Sequence, residues 1–326
     1  MSQKKNVVYY NMPGDLNYEN RLLNEWGISD LALTQVTGNN LIEDVKDAES
    51  LTLEYTEVDA DTLKHLPNLK IIALQSIGTN EIDIKAADKA GIYVTNTPGF
   101  CAYEVASHVM ALLLDLSRGI STYNTSVKAG NWTPFIGNEL HRLKGKTCGL
   151  VSLGSIPLAL IPMLKGFGIN VVFCHSSKTD KEAEKLGITK CNSLEELLAI
   201  SDIVSLHTPL LPETENMINE ETFSQMKDGT ILINTARGGL IDEEALIKNL
   251  RSKKISAAGL DVLADEANHN SQLISLENVI VTPHVGFLSQ ESLMESRRIA
   301  LEQIVMSLSK GLKPTYAVNK NIVTRE

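Results

Sequence analysis

The chain has 326 residues, of which 43% are hydrophobic and 21% are charged, with a net charge of −10. This length is enough for two domains with separate cores, and the acidic balance argues against nucleic acid or an anionic membrane as a partner. No run approaches the roughly 18 apolar residues that a membrane helix needs, and the start of the chain lacks the apolar run of a signal peptide. The four cysteines occur singly, which indicates neither a disulfide framework nor a zinc site. We therefore expect a cytoplasmic protein that binds no metal.

Residues 6–95 alternate between short β-branched runs and segments with helical spacing of apolar residues. Strands are predicted at 6–10, 31–36, 51–55, 69–75 and 92–95, and helices at 16–26, 59–66 and 81–90. This alternation predicts a doubly wound α/β domain with a parallel sheet.

A second α/β region begins at Lys146, after helices predicted at 103–118 and 121–130. Its strands are predicted at 147–153, 171–174, 203–206, 230–234, 255–260 and 279–281. We expect a final helix, at 291–309, to return to the first domain. The helix at 103–118 is apolar on most faces, which predicts burial nearly all round. A subunit interface and the core of a monomer both explain this pattern.

The stretch 146–178 has the order strand, tight turn, helix, strand, which is the first half of a mononucleotide-binding unit. Such a turn places a pyrophosphate at the positive end of the helix, against bare backbone N–H groups. The candidate phosphate-binding residues in this turn are Gly154, Ser155 and Ile156.

The usual G-x-G-x-x-G pattern keeps only its middle glycine here, because Ser152 and Pro157 occupy the other two positions. The motif alone is weak, and an ordinary β-turn-α unit explains it at least as well. Pro162 lies about two turns into the predicted helix, which predicts a kink or a late helix start.

The position about 20 residues further on normally carries an acidic side chain that binds the ribose hydroxyls of NAD. Here the chain has no carboxylate but two hydroxyls between a histidine and a cation: His175, Ser176, Ser177 and Lys178. Nothing in this segment repels a 2′-phosphate, so it favours NADP, or dual use of NAD and NADP.

Polar residues also follow the later strands, where the ligand crevice of an open α/β sheet lies. They include His207, Thr208 and Pro209, then Thr235, Ala236 and Arg237, then Asp261 and Glu266, and finally His284. Taken singly, Arg237, Glu266 and His284 have ordinary explanations as surface, loop and turn residues. Together they suit the reduction of a keto acid. The arginine would hold the carboxylate through two N–H bonds, the histidine would donate the proton, and the glutamate would stabilise the imidazolium.

The segment 233–246, INTARGGLIDEEAL, resembles the signature of the D-isomer-specific 2-hydroxyacid dehydrogenases. Residues 259–266 and 278–286 resemble other motifs of the same family, and the similarity extends over nearly the whole chain. The resemblance implies that Arg237, Glu266 and His284 form the catalytic set. It also implies that Asp261 and the backbone at Thr235 and Ala236 contact the nicotinamide half of the cofactor.

The same resemblance implies a two-domain enzyme hinged around a cleft. A flavodoxin-like substrate domain would comprise residues 1–101 and 287–326, and a Rossmann-type dinucleotide-binding domain would comprise 102–286. A homodimer would form through the helix region 103–118. Further candidate cofactor contacts are Thr214 and Gly286, and candidate substrate contacts are Tyr55, Ser76, Ile77, Gly78 and Phe287.

The apolar aromatic at Phe287 resembles the D-lactate-type members of the family, so we expect pyruvate and D-lactate as the first substrate pair. Glyoxylate or hydroxypyruvate comes second and bulkier 2-keto acids third. The lack of a C-terminal regulatory domain makes a phosphoglycerate dehydrogenase a weaker expectation. An alternative of another class is a regulatory protein that senses dinucleotide and has little activity, which the altered glycine turn favours.

Overall fold

The computed structural model describes residues 4–54, 56–136, 139–175, 178–267 and 271–319. The chain forms two compact units, one made of Met1–Phe100 and Ser289–Glu326 and the other of Cys101–Leu288. Within the described residues, no helix is long and apolar enough to cross a membrane.

The first unit contains a five-stranded parallel sheet. Its strands are β1 (Lys5–Tyr10), β2 (Leu31–Val36), β3 (Ser50–Thr52), β4 (Ile71–Ala73) and β5 (Tyr93–Thr95). Its helices are α1 (Asn17–Glu25), α2 (Leu41–Val45), α3 (Ala60–Lys64), α4 (Ile84–Ala90) and, from the end of the chain, α12 (Gln290–Ile304). The strand order β2-β1-β3-β4-β5 is the flavodoxin-like order, as predicted for this part of the chain.

Both faces of this sheet are covered by apolar side chains, because successive residues of a strand point to opposite faces. On one face Val8 and Tyr10 join the cluster under the short helices. On the other, Val7 and Tyr9 pack with residues of α12. Helix α12 is also tied to α1 by Arg297, which binds the fully buried Glu19 through two bonds of 2.5 and 2.6 Å.

The second unit contains a seven-stranded parallel sheet. Its strands are β6 (Thr147–Val151), β7 (Asn170–Cys174), β8 (Thr189–Lys190), β9 (Ile203–Leu206), β10 (Thr230–Asn234), β11 (Ile255–Leu260) and β12 (Val279–Val281). Its helices are α5 (Ala102–Arg118), α6 (Ile120–Lys128), α7 (Ser155–Gly166), α8 (Asp180–Leu186), α9 (Leu194–Ile200), α10 (Glu220–Gln225) and α11 (Glu243–Arg251). The order β12-β11-β10-β9-β6-β7-β8 is the Rossmann order with one added strand, which confirms the predicted doubly wound fold.

Helix α5 differs from the expectation that it is buried nearly all round. Its buried residues, among them Val109 and Leu113, lie on one side, and it packs against α7 and the strands β10 to β12. On the opposite side Ser107 and Ala111 are exposed, and Tyr103 is 68% exposed. The sequence predicted wider burial because alanine and serine, which are small, are tolerated on either side of a helix.

Helix α7 begins at Ser155, directly after the glycine turn, so the predicted late start at Pro162 is wrong. Pro162 lies inside the helix and is exposed. A proline there removes the hydrogen bond to the carbonyl of Leu158. Since Leu158 is also exposed, at 43%, water can satisfy that carbonyl, and the helix tolerates the proline.

Candidate active site

The predicted site residues of the second unit follow the carboxyl ends of its parallel strands, which all lie along one edge of the sheet. Gly154 follows β6, His175 follows β7, His207 follows β9, Arg237 follows β10, Asp261 follows β11 and His284 follows β12. The strand order reverses direction at β6, which has β7 on one side and β9 on the other. Such a reversal marks the ligand crevice in this class of fold.

The turn after β6 has the geometry of an anion-binding site. Gly154 is the residue before α7 and has no side chain that could cap the helix. A Cβ atom built on Gly154 would meet nothing within 4 Å, so the backbone faces open space. The N–H groups at the start of α7 can therefore receive an anion such as the predicted pyrophosphate.

The two altered glycine positions have different consequences. Ser152 has φ of +85°, the left-handed conformation for which glycine is preferred, so the turn keeps its shape at the cost of strain. Pro157 is buried in the first turn of α7 and carries no N–H. The donors left for an anion at this helix end are then Ser155 and Ile156.

At the end of β7, the cation predicted to face a 2′-phosphate is already paired. Lys178 Nζ lies 3.0 Å from Oε1 of Glu182. Glu182 also accepts the Thr179 N–H at 2.8 Å in the cap of α8, and these bonds lower the pKa of its carboxyl to about 2. Ser176 and Ser177 lie outside the described residues.

The loop after β9 presents a neutral histidine. Burial lowers the pKa of His207 to about 3, and its Nε2 lies 2.9 Å from Oγ of Ser205. Thr214, a predicted cofactor contact, closes this loop by donating from Oγ1 to the carbonyl of Pro209 at 2.7 Å. Thr208 lies in the same loop, between His207 and Pro209.

Arg237 lies in a turn shaped by the buried side chain of Asn234. The Asn234 amide donates to the Arg237 carbonyl at 2.8 Å and accepts the Ala236 N–H at 3.0 Å. Asn234 was predicted only as the end of a strand. Its two contacts now explain the backbone conformation of the turn that carries Thr235, Ala236 and Arg237. Arg237 lies at the edge of the sheet after β10, and His284 lies at the same edge after β12. Strand β11 lies between these two strands.

His284 and Glu266 are brought together although 18 positions separate them in the chain. Nδ1 of His284 lies 3.0 Å from Oε2 of Glu266. The side chain of His284 is 35% exposed and that of Glu266 is 45% exposed, so both are accessible. The contact occupies Nδ1 and leaves Nε2 as the nitrogen that can exchange a proton with a substrate.

Asp261 is only 2% exposed, and its carboxylate binds the turn that carries His284. Although burial alone raises the pKa of Asp261, hydrogen bonds from His108, Thr282, Gly286 and Val285 outweigh it and lower the pKa. Two of these partners, His108 and Thr282, were not predicted as site residues. In the sequence, His108 belonged to a segment, 105–108, that resembles the family, but no role was assigned to it.

In the first unit, Ser76, Ile77 and Gly78 follow strand β4, and their carbonyls are used internally. The Ser76 carbonyl accepts the Thr97 N–H at 3.0 Å, the Ile77 carbonyl accepts the Asn96 amide at 2.9 Å, and the Gly78 carbonyl accepts the Ser76 hydroxyl at 2.9 Å. These bonds fix the shape of the segment, and its N–H groups are of the kind that can bind a carboxylate. Of the two predicted pocket residues, Phe287 is half-buried in the second unit and Tyr55 lies outside the described residues.

Comparison with known proteins identifies the family. The family model described as "D-isomer specific 2-hydroxyacid dehydrogenase, NAD binding domain" matches residues 110–286. The chain is 38% identical over 294 residues to a glyoxylate reductase from Thermococcus litoralis, and the matched segment covers 87% of each chain. It is 37% identical over 305 residues to a D-3-phosphoglycerate dehydrogenase from Methanocaldococcus jannaschii, and this match covers 93% of this chain and 57% of that one.

A solved structure shows the same fold and gives a third comparison. The D-lactate dehydrogenase of Escherichia coli, in its apo form, superimposes with a TM-score of 0.82 and 28% identity over 96% of this chain and 99% of that one. These matches confirm the resemblance seen in the sequence. The chain therefore belongs to the D-isomer specific 2-hydroxyacid dehydrogenase family, oxidoreductases that use a nicotinamide dinucleotide.

Proposed function

We propose that the protein reduces glyoxylate or hydroxypyruvate to the corresponding 2-hydroxy acid, with a reduced nicotinamide dinucleotide. The observation that supports this substrate class is the 38% identity to a glyoxylate reductase along 87% of both chains. Identity to the D-lactate dehydrogenase is lower, at 28%. Pyruvate, the first expectation from the sequence, therefore moves to second place.

The roles of the three candidate catalytic residues follow from their chemistry. Arg237 binds the substrate carboxylate through its planar guanidinium and fixes the keto acid in one orientation. His284 donates a proton from Nε2 to the carbonyl oxygen as that oxygen becomes a hydroxyl. Glu266, bonded to Nδ1, holds the imidazole in place and stabilises its charged form. The bound nicotinamide supplies the hydride for the carbonyl carbon.

The remaining candidate residues divide between two binding functions. Residues 102–286 would bind the dinucleotide, with the pyrophosphate at the start of α7, the ribose near His175 and Lys178, and the nicotinamide near Asp261. Residues 1–101 and 287–326 would bind the substrate, with the N–H groups of the segment Ser76 to Gly78 facing its carboxylate.

Cofactor choice remains part of the proposal. The absence of a carboxylate in the segment 175–178 supports use of NADPH at least comparable to NADH. The pairing of Lys178 with Glu182 reduces the positive charge available to a 2′-phosphate, which supports dual use over a strict NADPH preference.

A panel of keto acids tests the proposal: glyoxylate, hydroxypyruvate, pyruvate, 3-phosphohydroxypyruvate and a branched 2-keto acid, each with NADH and NADPH. We expect kcat/KM to be highest for glyoxylate or hydroxypyruvate, by about tenfold over pyruvate. A higher kcat/KM for pyruvate or for the phosphorylated acid would replace the proposed substrate.

Variants of the catalytic residues test the mechanism on the substrate that the panel identifies. Arg237→Ala and His284→Ala should each lower kcat/KM by at least about a hundredfold, or about 2.7 kcal/mol. Arg251→Ala is the matched control, because Arg251 is an exposed arginine at the end of α11. Near-normal turnover by either site variant would overturn the assignment.

A dinucleotide-sensing protein with little activity is the competing proposal. The strained φ of +85° at Ser152 favours it, since strain in the cofactor turn is expected to weaken the cofactor binding that catalysis needs. Fluorescence titration with NADH and NADPH separates the two proposals when it is combined with the panel. Binding without turnover of any keto acid would support the sensor.

We also propose a homodimer through the region of α5. Large apolar side chains of α5 and of the segment that follows it are exposed in the single chain, with Tyr103 at 68%, Ile120 at 61% and Trp132 at 89%. A dimer through this region would remove such side chains from water, and a patch of exposed apolar residues is typical of a subunit interface. Light scattering that gives the mass of one chain would contradict the dimer.

A further inference from the structure

We propose that His108 is a positioning residue for the reduction, and that it acts through Thr282 and Asp261 on the turn that carries His284. This inference rests on the proposed function, in which His284 is the proton donor. It assigns a role to a side chain on α5, a helix whose buried residues pack in the core of the unit.

The turn from Thr282 to Gly286 holds His284 in an unfavourable backbone conformation. His284 has φ of +54°, in the left-handed region that residues other than glycine seldom adopt. This conformation is unfavourable for a residue with a side chain, and it persists only when the surroundings fix it. The direction of the imidazole therefore depends on contacts that hold the turn.

Asp261 supplies several of those contacts. Its carbonyl accepts the His284 N–H at 2.8 Å. Its carboxylate accepts the Val285 N–H at 3.0 Å and the Gly286 N–H at 2.8 Å. The Thr282 hydroxyl donates to the same carboxylate at 2.5 Å. Backbone and side chain of one aspartate thus bind the turn on both sides of the histidine.

His108 completes this arrangement from α5. Its Nε2 lies 2.9 Å from Oγ1 of Thr282 and 3.3 Å from Oδ1 of Asp261. The single hydrogen of the Thr282 hydroxyl is directed to Asp261, so that oxygen can only accept from the histidine. His108 must then carry its proton on Nε2, and the chain of donors runs from His108 through Thr282 to Asp261.

Packing leaves little room for this network to rearrange. A Cβ atom built on Gly286 would lie 2.8 Å from Oδ2 of Asp261 and 3.4 Å from Cδ2 of His108. The absence of a side chain at Gly286 lets the aspartate and the histidine approach the turn. The side chain of His108 is 20% exposed and that of Asp261 is 2% exposed, so water can replace few of these bonds.

Loss of the His108 donor is expected to loosen the turn without removing any group that touches substrate. Thr282 would lose the bond that fixes its hydroxyl, and the buried carboxylate would lose part of its stabilisation. We expect His108→Leu to lower kcat about tenfold, since a small misplacement of a proton donor has large effects. The KM for the keto acid should change less than about twofold, because Arg237, which would hold its carboxylate, is untouched.

Restoration of kcat by a conservative variant distinguishes a positioning role of His108 from a general loss of packing. His108→Gln places an amide nitrogen near the position of Nε2 and should restore kcat to within about threefold of the wild type. Thr282→Val breaks the same chain of donors, so the double variant with His108→Leu should be no slower than the slower single variant. Ser107→Ala, the exposed neighbour on α5, is the control and should leave kcat unchanged.

Two results would overturn the inference from kinetics: kcat within about twofold of the wild type in His108→Leu, or failure of His108→Gln to restore it. A crystal structure of His108→Leu gives a readout that needs no turnover. We expect the φ of His284 to leave the left-handed region or the Thr282 hydroxyl to turn away from Asp261, and an unchanged turn would overturn the inference. If the wild type reduces no keto acid, the proposed function fails, and the structure of this variant still decides the role of His108.

Discussion

Nδ1 of His284 lies 3.0 Å from Oε2 of Glu266, and this contact joins the turn after β12 to the loop after β11. The carboxylate fixes the ring and leaves Nε2 for the substrate. The same arrangement places a negative charge next to the ring that must carry a proton for reduction. The two residues are therefore expected to act as one unit.

Glu266→Gln should lower kcat for keto-acid reduction by about ten- to a hundredfold. The amide can still accept the ring N–H, but it removes the charge that stabilises the imidazolium. The KM should change little, because Arg237 holds the carboxylate. Steady-state kinetics measure this, with the exposed Glu277→Gln as the matched control. A fall in kcat/KM caused by KM alone would show that Glu266 binds substrate instead.

The cofactor turn offers a stabilising substitution. Ser152 has φ of +85°, and glycine adopts this conformation without the clash of a Cβ atom. Ser152→Gly should raise the free energy of unfolding by about 0.5 to 1 kcal/mol, measured by urea denaturation. Ser155→Gly is the control, because Ser155 is helical and glycine there should give no gain. Destabilisation by Ser152→Gly would show that the hydroxyl makes a contact that outweighs the strain.

The fold, and the placement of the candidate site residues after the strands, were predictable because both depend on local pattern. Runs of β-branched residues located the strands, and polar residues after the strands located the edge of the sheet. Two short elements were not predicted, because too few residues are present to show a period. They are helix α2 with five residues and strand β8 with two. The strand predicted at 51–55 is Ser50–Thr52, because strand length depends on the neighbours β1 and β4.

Contacts between residues far apart in the chain could not be predicted from the sequence, for a different reason. The bonds of Asp261 to Thr282, Val285 and Gly286 depend on the order of strands in the sheet. The contact of His108 with this turn depends on how α5 packs across β10 to β12. Neither the strand order nor this packing leaves a periodic signal in the chain.

Cofactor preference should respond to the pair formed by Lys178 and Glu182. Lys178→Ala should raise the KM for NADPH about fivefold more than the KM for NADH, since only NADPH carries the 2′-phosphate. Glu182→Gln releases Lys178 from its ion pair at 3.0 Å, while glutamine can still serve the helix cap. This variant should lower the KM for NADPH a few-fold.

Kinetics with both cofactors measure these changes, and Lys181→Ala, an exposed lysine in α8, is the control. A wild-type preference for NADH of about a hundredfold, or 2.7 kcal/mol, would show that other residues govern the choice. Equal effects of Lys178→Ala on both cofactors would show that Lys178 does not contact the phosphate.

Two adjacent tyrosines of β1 should respond in opposite ways to loss of the hydroxyl. Tyr9 is 1% exposed, and its hydroxyl has no hydrogen-bond partner in the described part of the chain. The hydroxyl of Tyr10 donates to Oδ2 of Asp44 at 3.1 Å. Tyr9→Phe should raise the free energy of unfolding by about 1 kcal/mol, because it removes an unsatisfied buried group. Tyr10→Phe is the matched control and should lower it by about 1 kcal/mol.

The effect of Tyr9→Phe should also depend on pH. Burial, and then the charge of Glu19, raise the pKa of Tyr9 despite the nearby Arg297. A raised folded-state pKa gives stability that is complete below the unfolded value, about 10, and is lost as pH rises above it. The wild type should therefore lose stability above about pH 10 faster than Tyr9→Phe, which has no group to ionise at this position. Urea denaturation at about pH 8 and about pH 10.5 measures the difference. An advantage of Tyr9→Phe that shrinks at the higher pH would show that the Tyr9 hydroxyl has a partner in solution.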